Sequence, residues 1–190
     1  MEALSQAAHR RLAVREEEDA GALRRAVAAL ARSRPAIRGG QAELVATELA
    51  TNIVKHATSG GYVLYRPLDP GIELVAVDRG PGLRRLPVEG WRSWASPDVA
   101  HRPVLRRDGL GAGLTTVERL ASTFDVYSAR DLGTVVLARL GVGEAGRKWP
   151  FDWGAVNVPL DGEDESGDGW AVAADGGLAA LAVDGLGHGP

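Results

Sequence analysis

The chain has 190 residues and a formal net charge of -3, with 45% hydrophobic residues, 25% charged residues and no cysteine. The lack of cysteine excludes disulfides, thiol nucleophiles and cysteine-ligated zinc, and the charge gives no general electrostatic reason to bind nucleic acid. Because the sequence contains neither a signal-peptide-like start nor an apolar run long enough to cross a bilayer, we expect a cytoplasmic protein without a membrane partner.

The first half of the chain reads as a strand followed by two helices. Residues 10–16 predict a short strand, and the acidic residues 17–19 open a helix that runs to about Ser33. Pro35 and the glycines at 39 and 40 end that segment. A second helix is predicted at about 41–57.

Two hairpins and a third helix follow. The strands 62–66 and 72–78 are separated by a turn at 69–71, and the strands 124–129 and 134–140 by a turn at 131–133. Between the hairpins, a stretch rich in Gly, Pro, Trp and Arg leads into a helix at 114–122. Helices gathered on one side of a mostly antiparallel sheet predict an α+β fold, a two-layer sandwich.

A change in composition after Leu140 predicts a domain boundary. The segment GVGEAGRK is linker-like, and the remaining residues are rich in Gly and Asp. We therefore divide the chain into a first domain, 1–142, and a linker with a β-rich tail, 143–190.

The helix at 41–57 carries the most informative polar pattern. Its apolar residues share one broad face, whereas Glu48, Asn52 and Lys55 project from the opposite side, one turn apart. A carboxylate and an amide oxygen at this spacing suit a hydrated Mg²⁺ and its phosphates. A solvated helix face with incidental polar residues explains the same stripe equally well.

Two glycine-containing segments complete the set. Asp78 ends a strand and is followed by Gly80 and Gly82, which offers an acceptor for an exocyclic amine beside backbone that a flat base can approach; an ordinary turn is the alternative. A glycine run at 109–114, preceded by Arg107, opens a helix whose N-terminus suits phosphates; a hinge is the alternative. No Lys-Ser/Thr follows the run, so it is not a P-loop.

Together these motifs resemble a known superfamily. ELATNIVKHA, DRGPG, GLGAGL and a final GT resemble, in order and spacing, the GHKL (HATPase_c) ATPases, and the compact size resembles the RsbT/RsbW-type anti-sigma switch kinases. The resemblance implies the Bergerat ATP-binding fold and transfer of the γ-phosphate of Mg-ATP to a serine or threonine of a regulatory partner. A STAS-domain antagonist, a sigma factor and an absent domain of the same protein remain open as partners, as does homodimerisation.

The resemblance also implies residue roles. Glu48 matches the general base, Asn52 the Mg²⁺ ligand and Asp78 the acceptor for the adenine amino group. Residues 84–108 would form a lid over ATP, in which Trp91 and Trp94 either contact a partner or pack on the domain. The other implied nucleotide contacts are Lys55, Gly80, Gly82, Arg107, Gly109, Leu110, Gly111, Ala112, Gly113, Leu114 and Thr134.

The tail carries a second, partial resemblance. Its acidic run at 161–168 reads by composition as a solvated loop, but SGDGW followed by ALAVDGLGHG resembles the opening of SpoIIE/RsbX-type metal-dependent phosphatases. The resemblance implies that Asp168, Asp184 and the carbonyl of Gly185 bind Mn²⁺ or Mg²⁺. Because the sequence stops at Pro190, before the family's later aspartates, we expect an incomplete fragment without phosphatase activity, in which strands at about 168–174 and 178–184 pair.

Two alternatives to a kinase remain at this stage. A nucleotide-gated binding module would hold or release a partner according to ATP or ADP, without transferring phosphate. A regulatory half of a SpoIIE-type phosphatase would sense nucleotide for a catalytic half. Glu48 favours the kinase, because a binding module needs no base at that position.

Overall fold

A computed structural model describes residues 4–5, 8–83, 111–142, 154–174 and 178–185. The predictions for Arg107, Gly109 and Leu110, and for a lid at 84–108 with Trp91 and Trp94, concern residues outside these ranges. The described elements, in chain order, are β1 (Leu4–Ser5), β2 (Arg10–Val14), α1 (Glu17–Ala31), α2 (Gln41–His56), β3 (Gly61–Pro67), β4 (Ile72–Asp78), α3 (Ala112–Leu120), β5 (Thr123–Ala129), β6 (Gly133–Leu140), β7 (Gly169–Ala174) and β8 (Leu178–Val183).

Five strands form the main sheet in the order β2-β3-β4-β6-β5, with every neighbouring pair antiparallel. Alternate residues of these strands face the helices and form one apolar core with them. The predicted α+β two-layer sandwich is therefore confirmed. A second sheet has the order β1-β7-β8, so the predicted pairing of the two tail strands is also confirmed.

The apolar face of α2 lies in this core. Ala46, Leu49, Ala50 and Ile53 are all buried, as the helical spacing predicts, and α1 adds Leu23 and Val27 beside them. Full burial of a leucine or isoleucine side chain stabilises the fold by about 1.5–3 kcal/mol. This packing fixes the rotation of α2 about its axis and turns the stripe that carries Glu48 and Asn52 away from the sheet.

The third helix begins earlier than its sequence suggests. It starts at Ala112, with Gly111 as the N-cap, and it ends at Leu120 rather than at residue 122. Burial of Leu114 and Val117 holds it on the core, and this anchoring brings the last residues of the glycine run into its first turn. The run is therefore partly helical, and it is not only a loop before a helix.

A hydrogen-bonded network around a buried carboxylate occupies the sheet face opposite the helices, which we call the outer face. Glu73 on β4 accepts hydrogen bonds from His9 (3.0 Å), from Arg66 on β3 (2.7 Å) and from Arg139 on β6 (2.7 Å). Burial by itself raises the pKa of Glu73, but the His9 hydrogen bond and the two arginine charges outweigh it and lower that pKa to about 2. The tail takes part in this network, since the backbone amide of Asn157 donates a hydrogen bond to His9 Nδ1 at 3.3 Å.

The acidic run of the tail makes more contacts than the predicted solvated loop. Asp161 pairs with Arg11 at 2.9 Å and Glu165 pairs with Arg10 at 2.8 Å. The Arg11 amide also donates to the Asp164 carbonyl at 2.9 Å, so part of the run lies along the edge strand β2. The composition correctly indicated exposed carboxylates, but it could not show that two arginines of β2 form salt bridges with them.

The long apolar helix that a membrane span requires is not found in the described ranges.

Acid should weaken the fold through Glu73. Its pKa is about 2 in the folded protein and 4.5 in the unfolded reference, so this contribution is complete above pH 4.5 and is lost as the pH falls towards 2. The difference corresponds to roughly 3 kcal/mol. Urea unfolding at several pH values between 2 and 6 measures this contribution. If the free energy of unfolding depends on pH equally steeply in wild type and in Glu73→Gln, the lowered pKa does not belong to Glu73.

Candidate functional site

The phosphate side of the predicted site brings together residues that are far apart in sequence. Glu48 and Asn52 stand one turn apart on α2, and the start of α3 lies directly against them. A Cβ atom built on Gly113 would be 2.5 Å from Glu48 Oε2 and 3.5 Å from Asn52 Oδ1. Only a glycine leaves the carboxylate in its place, which explains why this residue type stands at this point of the helix.

Asn52 leaves one hydrogen-bonding atom unused. Its side-chain nitrogen is buried and has no hydrogen-bond partner among the described residues. An unmet buried donor costs about 1–3 kcal/mol, so its presence beside the start of α3 points to an acceptor that the described part of the chain does not supply. An anionic oxygen is such an acceptor.

The first turn of α3 supplies backbone donors to the same place. Ala112, Gly113 and Leu114 are its first three residues, and this turn contains no acidic side chain. The first backbone amides of a helix have no hydrogen-bond partner within the helix, and they lie at the positive end of the helix dipole. They therefore bind anions. The predicted contacts Gly111, Ala112, Gly113 and Leu114 therefore belong to one helix start, with Leu114 as its buried anchor.

The base side of the predicted site is a row of polar side chains at one end of the main sheet. Asp78 on β4 lies directly opposite Thr134 on β6, and Thr134 lies opposite Ser128 on β5. All three continue the alternation of core residues and therefore share the helix-covered face. Thr134 is buried, and the Asp78 carboxylate accepts a hydrogen bond from the Gly80 amide at 2.7 Å.

The loop after Asp78 is held against both α2 and the last hairpin. A Cβ on Gly80 would lie 2.9 Å from the carbonyl oxygen of His56, at the end of α2, so a larger residue would separate the loop from this helix. Gly82 lies beside Ala129, and the Asp131 amide donates to the Pro81 carbonyl at 3.2 Å. The helix that carries Glu48 and Asn52 thus also touches the base side.

Lys55 stands apart from these two groups. It is exposed, and it lines a groove of about 320 Å³ between α1 and α2 together with Arg24, Thr47 and Thr51. None of the other predicted nucleotide contacts that the structure describes lines this groove. The structure therefore places Lys55 on the α1 side of the polar stripe, whereas Asn52 faces α3.

The phosphatase-like residues of the tail are brought together at the ends of their strands. The Gly185 amide donates to Asp168 Oδ1 at 3.2 Å, and Asp184 is the neighbouring residue in the chain. Over the described parts of the chain, no group of three or more His, Cys, Asp or Glu side chains could hold a metal ion. One oxygen of the Asp168 carboxylate is therefore already used by a backbone amide.

Sequence reasoning missed Ser128. Its hydroxyl contacts Leu83, Gly133 and Thr134 within the base-side row. A usable signal was present, because the predicted turn at 131–133 sets the hairpin register and so places residue 128 opposite residue 134.

No protein-family profile matches the sequence, and no curated protein is significantly similar to it.

Proposed function

We propose that this protein binds Mg-ATP between α2, the start of α3 and the end of the main sheet, and transfers the γ-phosphate to a serine or threonine of a regulatory protein. The observation that carries the proposal is the contact of Gly113 with Glu48 and Asn52, because it joins an anion-binding helix start to a carboxylate and an amide. A STAS-domain antagonist or a sigma factor in the cytoplasm is the partner class that we propose.

The residues fit ATP at both ends. The Asp78 carboxylate is an acceptor for the adenine amino group, and Gly80 and Gly82 leave room for a flat base near the backbone. The first-turn amides of α3 and the unpaired Asn52 nitrogen suit phosphate oxygens. Asn52 would hold Mg²⁺ through its side-chain oxygen; the metal, when bound, neutralises phosphate charge.

Glu48 is the group that makes the site suitable for transfer as well as for binding. In the proposed reaction the acceptor hydroxyl oxygen attacks the γ-phosphorus, Glu48 takes the hydroxyl proton, and ADP leaves with the electrons of the broken phosphorus–oxygen bond. Most of the remaining acceleration comes from positioning and from fixed donors around the phosphates.

Binding of ATP by calorimetry is the direct test. We expect wild type to bind ATP in the micromolar range with Mg²⁺ and more weakly without it, and we expect Asn52→Ala to weaken Mg-ATP binding about 10-fold or more because it removes the metal ligand and a phosphate donor. Thr51→Ala, which changes the neighbouring α2 side chain on the groove side, should bind as wild type. Wild type that binds no ATP would overturn the proposal.

The contact at Gly113 provides a second test. Gly113→Ala places a methyl group beside Glu48 and Asn52, where the proposed phosphates bind, so Mg-ATP binding should weaken about 10-fold. The free energy of unfolding should change by less than about 1 kcal/mol, since the displaced atom ends a flexible side chain and alanine favours a helix. Gly21→Ala is the matched control, because Gly21 lies on α1, outside the proposed site, and the nearest atom to a Cβ there is the end of the Arg25 side chain at 3.4 Å. Equal nucleotide affinities for the two variants would contradict the role of this contact.

A further inference from the structure

The hydroxyl of Ser128 lies where three parts of the base-side row meet. It accepts a hydrogen bond from the Leu83 amide at 2.8 Å, and it lies 3.0 Å from the Thr134 hydroxyl and 3.2 Å from the Gly133 carbonyl oxygen. Leu83 lies on the loop that follows Asp78, whereas Gly133 and Thr134 open β6. One side chain therefore links the loop, the turn and the predicted adenine contact.

One arrangement of the hydroxyl protons satisfies all three contacts. A serine hydroxyl has one proton to donate and two lone pairs with which to accept. The Gly133 carbonyl can only accept, so it takes the Ser128 proton, and the Leu83 amide occupies one lone pair. The arrangement that satisfies all three contacts then has Thr134 donating its proton to Ser128.

This proton arrangement leaves lone pairs on the Thr134 oxygen that can accept a hydrogen bond from a bound base. The Asp78 carboxylate, directly opposite Thr134 on the neighbouring strand, is also an acceptor. Two acceptors at one end of a pocket favour a base that presents an amino group and disfavour one that presents a carbonyl there, because the facing oxygens would be unpaired.

We infer that Ser128 is a positioning residue that sets the Thr134 hydroxyl as an acceptor and so makes the site select 6-amino over 6-oxo purine nucleotides. This inference rests on the proposed function, since it concerns the same nucleotide site. Ser128 also holds the loop in place, because the Leu83 amide bonds to it and the loop contacts the same hairpin through Pro81 and Asp131.

The test compares ATP with inosine triphosphate, which carries a carbonyl in place of the amino group. In wild type we expect ATP to bind about 100-fold more tightly than inosine triphosphate. Ser128→Ala should weaken ATP binding about 10-fold and leave the binding of inosine triphosphate nearly unchanged, so the preference for ATP should fall about 10-fold. Ser122→Ala is the matched control, because the Ser122 hydroxyl donates to a backbone carbonyl at the other end of the same hairpin.

Two outcomes overturn the inference while the proposed function stands. One is an equal loss of affinity for both nucleotides in Ser128→Ala, which a merely structural role would produce. The other is wild-type affinity of Ser128→Ala for both ATP and inosine triphosphate, which leaves the ratio of their dissociation constants unchanged. A readout without nucleotide covers the case in which wild type binds neither: hydrogen exchange of the Leu83 amide by NMR should speed up in Ser128→Ala, and exchange that stays slow would show that Ser128 does not hold the loop.

Discussion

Replacement of Glu48 with glutamine is expected to slow phosphotransfer about 10²–10⁴-fold while Mg-ATP binding stays within about threefold of wild type. Glutamine keeps the size of the side chain and its place beside Gly113, but it cannot take a proton from the incoming hydroxyl. The loss should therefore fall on the chemical step. Transfer of labelled γ-phosphate to a STAS-domain acceptor measures the rate, and calorimetry measures the binding.

Glu43→Gln is the control for this prediction. Glu43 lies on the same helix, about 140° from Glu48 around the axis at 100° per residue. Glu43→Gln therefore removes the same charge as Glu48→Gln, but on a side of the helix away from the site. A transfer rate in Glu48→Gln equal to that of Glu43→Gln would remove Glu48 as the base. Wild type that binds Mg-ATP but transfers no phosphate would favour the nucleotide-gated binding module.

Replacement of Glu73 with glutamine is expected to destabilise the fold by about 3–5 kcal/mol. The side chain of Arg66 is only 2% exposed, and Glu73 is the carboxylate that neutralises it. Glutamine keeps an oxygen that can accept hydrogen bonds, but it leaves a buried guanidinium without a counter-charge. Urea unfolding at neutral pH, followed by circular dichroism, measures the loss.

Glu118→Gln provides the matched control, because Glu118 is an exposed carboxylate on α3 and its change should cost less than about 0.5 kcal/mol. A loss below about 1 kcal/mol in Glu73→Gln would mean that solvent or another group neutralises Arg66. The double variant Arg66→Met, Glu73→Gln separates these cases: removal of the buried cation should recover part of the stability, since no charge is then left uncompensated.

Much of this protein could be predicted from sequence alone, because the determining signals are local. The helical spacing of Ala46, Leu49 and Ile53 predicted the buried face of α2, and therefore also that the stripe opposite it points away from the sheet. The alternation of strand residues and the two turn segments predicted both hairpins and the antiparallel sheet. Where local signals were weak, the predicted boundaries were displaced. The helix predicted at 114–122 begins at Ala112 and ends at Leu120, because the glycine run gave no indication of its start.

Only the tertiary structure decided which distant segments meet. The contact of Gly113 with Glu48, the row from Asp78 through Thr134 to Ser128, and the burial of Glu73 among His9, Arg66 and Arg139 all join separate elements. Local spacing determines which side of an element is apolar, whereas the packing of that apolar side determines what its polar side faces. The residue types were therefore determined locally, but their assembly into a candidate site came from core packing and strand register.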